Sequence, residues 1–250
     1  MTSSIEVLFS PPEFAALTQR ELSDTTCVVF DVLRATSTMV TALANGAQRL
    51  IPVVEVDEAV AWRRQQPEVL LAGERQGLRI GARLTGGVEF DLGNSPREFT
   101  PERVAGRTIV ITTTNGTRAL RACLGAARIL VASWLNLGAV AAALRETAPA
   151  RLVIVCSGTL EQASFEDTLA AGALADRVWS PYAGGTVADS AAMARELYRA
   201  HAADLPGAMR LARNGRRLLA MPELRDDVAW CLTADRYALV PALGPDGAVC

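Results

Sequence analysis

Thr25-Thr26-Cys27-Val28-Val29-Phe30-Asp31-Val32-Leu33-Arg34-Ala35-Thr36-Ser37-Thr38 is the stretch around which the chain is organised. A β-rich apolar run ends in the carboxylate of Asp31. The guanidinium of Arg34 and three hydroxyls follow within seven residues, just before a helical pattern sets in at Met39. In a parallel α/β sheet such a junction is the carboxyl end of a strand, where ligands bind. An acid able to hold a metal and an arginine able to fork onto an oxyanion therefore share one rim.

The same pattern repeats on both sides of this stretch. Ile5 to Phe9 reads as a strand, and Pro11-Pro12 opens a helix to about Leu22, with proline in the first turn where its missing N–H does no harm. Val28 to Val32 is the second strand, and Met39 to Leu43 a helix stopped by Asn45-Gly46. Arg49 to Val54, Val69 to Ala72, Thr108 to Thr112, Ile129 to Ala132 and Leu152 to Cys156 read as strands. Asp57 to Gln66, Arg118 to Leu124, Leu137 to Glu146, Ser164 to Val178 and Val187 to His201 read as helices. Short helices follow from about Leu205, and Tyr237 to Pro241 reads as an edge strand. Between Gly73 and Pro101 periodicity is lost in a glycine-punctuated, charged segment, a pattern that points to function because glycine lets backbone approach a ligand closely.

Strand, loop and helix repeated about five times predict a three-layer α/β/α sandwich with a largely parallel or mixed sheet. Its 250 residues, half of them hydrophobic, suffice for one domain over residues 1–250 with room for two closely packed lobes. The hydroxyl- and glycine-rich loops at 34–38, 112–117 and 156–159 all follow strand ends, so they are expected together on one sheet edge.

Composition narrows the chemistry. The formal charge of −2 without basic clusters provides no nucleic-acid surface. Apolar runs such as Ala139 to Leu144 fall far short of a membrane span, and Met1-Thr2-Ser3-Ser4-Ile5-Glu6 lacks the basic region of a leader, so a soluble cytoplasmic protein is expected. Cys27, Cys123, Cys156, Cys231 and Cys250 form no C-x-x-C pair, and reduced thiols are expected. All 25 cationic residues are arginine, and His201 is the only histidine. Walker-type phosphate loops, Schiff-base and pyridoxal-phosphate mechanisms, and zinc sites built on two histidines are therefore excluded. What remains is carboxylates, arginines, hydroxyls, backbone amides, a thiol and a hard metal.

Each constellation has a structural and a chemical reading. Asp31 with Arg34 is a polar loop carrying a salt bridge or one rim of a site, and Thr36-Ser37-Thr38 caps the next helix or receives an anion at its start. Thr112-Thr113-Thr114-Asn115-Gly116-Thr117 is a strand end and turn, or a phosphoryl cradle to which Arg118 adds charge. A haloacid-dehalogenase reading fails because Leu33 stands where the second aspartate belongs and no lysine follows. Tyrosine-phosphatase chemistry at Cys156 fails because Gln162 stands where arginine is required, and serine-hydrolase chemistry lacks a base other than His201. Ser164-Phe165-Glu166-Asp167 has capping-box spacing. Asp31, Glu74, Glu166 and Asp167 are the best candidates for an oxygen shell around Mg²⁺, ahead of Asp226-Asp227 and Asp235, which lie in a pattern that reads as a solvated face.

Taken in order, Phe30-Asp31-Val32-Leu33-Arg34-Ala35-Thr36-Ser37, Gly73-Glu74-Arg75 with Gly77-Leu78, Asn94-Ser95-Pro96, Thr112 to Arg118 and Phe165-Glu166-Asp167 resemble the 2-phosphosulfolactate phosphatase family of coenzyme M biosynthesis, nearly end to end. The resemblance implies a Mg²⁺-dependent acid phosphatase that hydrolyses (2R)-2-phospho-3-sulfolactate on an α/β/α fold unlike other phosphatases. It carries over Asp31, Arg34, Thr36, Ser37, Glu74, Asn94, Ser95, Thr114, Asn115, Gly116 and Asp167. On that basis Asp31, Glu74 and Asp167 are the expected metal ligands, with Asp31, Arg34 and Asp167 catalytic. Thr36, Ser37, Arg75, Asn94, Ser95, Thr114, Asn115, Gly116, Thr117 and Arg118 are the expected substrate contacts. The substrate would carry phosphate, carboxylate and sulfonate, about four negative charges, matched to arginine forks. A different small phosphorylated acid, or a non-catalytic anion-binding module, are the rival readings, and a symmetric homodimer is the base-rate expectation.

Overall fold

Every side chain of the strand Thr25–Phe30 is out of water, because helices cover both faces of the sheet in which it lies. The computed structural model describes residues 3–250; Met1 and Thr2, which begin the segment read for a leader, lie outside the described residues. The strands are β1 (Ser4–Leu8), β2 (Thr25–Phe30), β3 (Arg49–Pro52), β4 (Leu70–Arg75), β5 (Leu78–Arg79), β6 (Thr108–Thr112), β7 (Arg128–Ala132), β8 (Arg151–Cys156) and β9 (Thr186–Val187).

They form two sheets. The first has the order β7-β2-β8-β1-β9 and is parallel throughout. The second has the order β3-β6-β4-β5, parallel except for the β4–β5 hairpin. Period-two alternation assigns each face to its own core. Val28 and Phe30 of β2 pack with the helices Leu137–Thr147, Phe165–Arg177 and Asp189–His201 on one side. Cys27 and Val29 point the other way, toward Met39 and Val40 of the helix Ala35–Ala44 and Ala119 and Leu120 of the helix Gly116–Ala122. Those two helices also meet Leu50 of β3 and Ile109 and Ile111 of β6, so this middle layer serves both sheets. Val110 of β6 faces outward to Ala59 and Val60 of the helix Val56–Gln65. Each fully buried valine or phenylalanine contributes roughly 1.5–3 kcal/mol, which is why these apolar runs decide the layering.

The expected α/β sandwich is present, built from two sheets where a single sheet edge was expected. The loops after β2 and β8 come from the first sheet and the loop after β6 from the second. The segment from Gly73 to Pro101 contains β5 and the short helix Ala82–Thr85, both too brief for periodicity to reveal. The helix from Pro11 ends at Ala15 and continues as one tight turn over Ala16–Gln19. The C-terminal segment makes isolated bridges rather than a strand: Ala242 pairs with Leu130 of β7 and Val249 with Leu50 of β3, so the tail ties the two sheets together. No helix among the described residues is long and apolar enough to cross a membrane.

Candidate active site

A cavity of about 330 Å³ opens where the carboxyl ends of the two sheets face one another, as expected for strand ends in α/β sheets. Its walls include Asp31 and Arg34 after β2, Glu74 and Gly77 at the β4 turn, Thr114 and Asn115 after β6, and Gly158 and Thr159 after β8. Four loops distant in sequence thus meet at one place.

Asp31 and the turn after β6 are in direct contact. A Cβ built on Gly116 would stand 2.7 Å from Asp31 Oδ2 and 2.7 Å from the Ala35 Cβ, so only glycine permits this approach. Asp31 Oδ1 accepts the Ala35 N–H at 3.1 Å, and the Asp31 N–H donates to Thr36 Oγ1 at 3.0 Å. Burial pushes the Asp31 carboxyl up to about 6. Ala35 N–H and Ser157 act against that shift, nearby Glu74 adds to it, and Arg34 lowers it.

Glu74, itself buried, is anchored by the second sheet. Its Oε1 accepts from Thr114 N–H at 3.0 Å and from Thr114 Oγ1 at 2.8 Å, and its Oε2 from Gly77 N–H at 2.6 Å. Asn115 donates its side-chain amide to the carbonyls of Gly158 and Leu160 at 3.1 and 3.0 Å, pinning the loop after β8 against the loop after β6.

Arg34 is 4% exposed and already paired. Its Nη1 donates to Asp227 Oδ2 at 2.7 Å and its Nη2 to the Gly77 carbonyl at 2.8 Å. Asp227 is wholly buried and also receives Ser95 Oγ and Arg97 Nε, each at 2.7 Å. The pair Asp226-Asp227 therefore divides: Asp226 is solvated, as its helical pattern suggested, whereas Asp227 is the hub under the cavity. Only its placement one residue further round the helix separates the two.

Asp167 lies behind the cavity wall. Its Oδ1 accepts the Val32 N–H at 2.8 Å, and its Oδ2 accepts Ser164 Oγ at 2.6 Å with Ser157 Oγ and Gly158 N–H at 3.2 Å. Four donors make it the clamp between the ends of β2 and β8. Burial holds its pKa well above the carboxylate range, with the charges of Asp31 and Glu166 adding to the shift. Neighbouring Glu166 is pushed up to about 7 by burial, and its Oε2 is buried with no hydrogen-bond partner among the described residues.

Other expected contacts point elsewhere. Arg75 turns back to the carbonyls of Glu74 and Val54 and to Thr112 Oγ1. Arg118 reaches Glu161 on the surface. Ser37 and Thr117 return their hydroxyls to the Val32 and Thr113 carbonyls, and Thr36 caps Asp31. These are local hydrogen bonds of the caps and turns. Ser95 serves Asp227 and lines an adjoining cavity, and Asn94, whose Oδ1 is buried without a partner, lines both. Arg213, Asn214 and Arg217 complete the wall, yet nothing in their local sequence marks them: they arrive from a helix far along the chain. All five cysteines are free; Cys156 is wholly buried outside the cavity wall, and burial raises its thiol well above its ordinary range.

Among the described residues no three Asp, Glu, His or Cys side chains converge closely enough to enclose a metal by themselves. Mg²⁺ does not need such a cage, since it binds through one or two carboxylates with water and substrate oxygens completing the shell. Asp31 and Glu74 fit that donor set, both being carboxylates that line the cavity.

An α/β fold whose strand ends hold carboxylates, hydroxyls and arginines around a small cavity has the donors and charges to receive a small anion. A model of the 2-phosphosulpholactate phosphatase family matches residues 13–245. The chain is 39% identical over 223 residues to a protein of Symbiobacterium thermophilum, covering 88% of this chain and 92% of that one. It is 38% identical over 232 residues to one of Caldanaerobacter subterraneus subsp. tengcongensis, covering 92% of each. To one of Synechococcus sp. strain JA-3-3Ab it is 41% identical over 220 residues, covering 86% of each. Each of the three carries the name "Probable 2-phosphosulfolactate phosphatase". The chain belongs to the 2-phosphosulfolactate phosphatase family.

Proposed function

We propose that this chain is a Mg²⁺-dependent phosphatase that hydrolyses (2R)-2-phospho-3-sulfolactate to 3-sulfolactate and phosphate in the cytoplasm. The observation that carries this reading is the contact of Asp31 with the Gly116 turn, inside a cavity that also holds Glu74 and three arginines. The names of the relatives supply the substrate.

In this proposal Asp31 and Glu74 hold the metal, which when bound neutralises phosphoryl charge and lowers the pKa of water. Glu74 is held ready by Thr114 and Gly77. Arg34 lines the cavity and is locked by Asp227 and Gly77 before substrate arrives, so its charge is in place for a phosphoryl group without reorganisation. The clamp of Asp167 on Val32 and Gly158 keeps the two strand ends at a constant separation. Asp31 either remains a ligand or attacks phosphorus, and the stereochemistry of transfer from a chiral phosphate separates these: inversion means direct attack by water, retention a covalent aspartyl-phosphate.

The test is steady-state hydrolysis of phosphosulfolactate, phospholactate and phosphoglycerate with Mg²⁺. A clear preference in kcat/KM for the sulfonate is expected. Equal rates would transfer the proposal to another small phosphorylated acid, and binding without turnover would leave an anion-binding module.

A further inference from the structure

Three arginines line the cavity, but their charges are not equivalent. Arg34 is offset by the buried Asp227. Arg213 and Arg217 make no ion pair among the described residues. Arg213 donates Nη1 to Gln162 Oε1 at 2.9 Å and Nη2 to the Thr159 carbonyl at 2.6 Å, and Arg217 donates to the Gln76 carbonyl. A carbonyl fixes a guanidinium without cancelling its charge.

Both come from the helix Arg213–Ala220, four positions apart and hence on one face, with Asn214 beside them. Gly215 and Leu218 are the buried residues of that helix, and Leu218 lines the cavity beside the two arginines, so the helix is seated with its basic residues at the cavity wall. The anchors belong to both halves of the fold: Thr159 and Gln162 follow β8 of the first sheet, while Gln76 lies in the β4 turn of the second. The helix therefore bridges the two rims. At the β4 end, Gly77 leaves room for the guanidinium, since a Cβ there would lie 3.2 Å from Arg217 Nη2.

Resting on the phosphatase reading, we propose that Arg213 and Arg217 form the subsite for the acid groups of the substrate that do not react, its carboxylate or sulfonate. This arm would thereby select phosphorylated di-acids over simple phosphate monoesters. Each guanidinium retains N–H donors beyond those spent on its anchors, and a planar fork suits a carboxylate or a sulfonate face. The adjoining 670 Å³ cavity is the competing location, with Arg79 and Arg97 in its wall. Arg97, however, is spent there on Asp227 and Asp226, whereas neither Arg213 nor Arg217 is paired with a carboxylate among the described residues.

The experiment compares R213Q, R217Q and R79Q with the unaltered protein on phosphosulfolactate and on p-nitrophenyl phosphate, and measures 3-sulfolactate binding by calorimetry. Removing one charge-assisted contact is expected to cost roughly 10- to 150-fold in kcat/KM on phosphosulfolactate. The expected loss on p-nitrophenyl phosphate is at least tenfold smaller, so the ratio of the two substrates falls. Sulfolactate affinity falls with it, and R217K restores part of both. An equal loss on both substrates, or a ratio that collapses in R79Q instead, would overturn the subsite. Should the unaltered protein hydrolyse p-nitrophenyl phosphate but no phosphorylated acid, the substrate reading fails. In that case undiminished anion binding by R213Q and R217Q would separately defeat the subsite.

Discussion

Asp31 Oδ2 lies against the Cα of Gly116, leaving no room for a methyl group between the end of β2 and the turn after β6. Gly116→Ala must therefore displace either the carboxylate or Ala35. The expected cost is about 1–3 kcal/mol of stability, the usual price of overpacking. Turnover should fall at the same time, because the displaced group is the proposed metal ligand. A thermal melt and a kcat/KM measurement on the same sample check this. A variant with unaltered melting and rate would show that the two loops are not in contact.

The hub at Asp227 yields a sharper contrast. Asp227→Asn leaves Arg34 buried without its counter-charge and weakens the bonds from Ser95 and Arg97. Breaking a buried pair in this way costs roughly 3–5 kcal/mol. Asp226→Asn, one residue earlier and solvated, should stay within about 0.5 kcal/mol of the unaltered protein. Urea unfolding of the two variants decides the matter, and similar midpoints would contradict the burial of Asp227.

Acidity enters through Glu166, whose folded pKa of about 7 lies above its ordinary 4.5. Below pH 4.5 the carboxyl is neutral whether the chain is folded or not, so it imposes no penalty. As pH rises toward 7 the unfolded chain ionises first, and folding becomes progressively less favourable. Asp31, raised to about 6 from 3.8, acts in the same direction over a slightly lower window. Without metal, melting temperature should decline between pH 4.5 and 7. Glu166→Gln should flatten part of that slope and stabilise the protein at pH 8 by up to about 3 kcal/mol. A slope of the opposite sign would exclude a buried, elevated Glu166.

Metal dependence separates the two aspartates. EDTA should abolish hydrolysis and Mg²⁺ restore it. By calorimetry Asp31→Asn should lose Mg²⁺ affinity. Asp167→Asn should instead keep that affinity while losing stability, because an amide cannot accept from the four donors Asp167 now satisfies. Equal loss of Mg²⁺ in both variants would return Asp167 to the metal shell.

Much of the cleft was legible in the chain because strand ends are locally encoded. The runs ending at Phe30, Thr112 and Cys156 announce themselves by β-branched residues, and the carboxylate and hydroxyls that follow are adjacent in sequence to them. Arg75 and Arg118 show the limit of that local encoding: closeness in sequence to a motif does not set the direction of a side chain, and here Arg75 meets local carbonyls and Arg118 meets Glu161. Arg213 and Arg217 could not be found by pattern, and Asp227 was ranked low as part of a solvated face, since surface-like helical periodicity carries no information about what a helix packs against.

The α/β alternation, the burial of the strands and the absence of lysine and of paired-histidine chemistry can be read from the chain alone, because they follow from side-chain type and short-range periodicity. Only the tertiary structure decided that two sheets share one layer of helices, that Asp227 is buried while Asp226 is not, and which arginines reach the cavity. Those outcomes depend on contacts between segments far apart in the chain, such as Arg34 with Asp227, 193 residues away, and no local pattern specifies the partner of a buried charge.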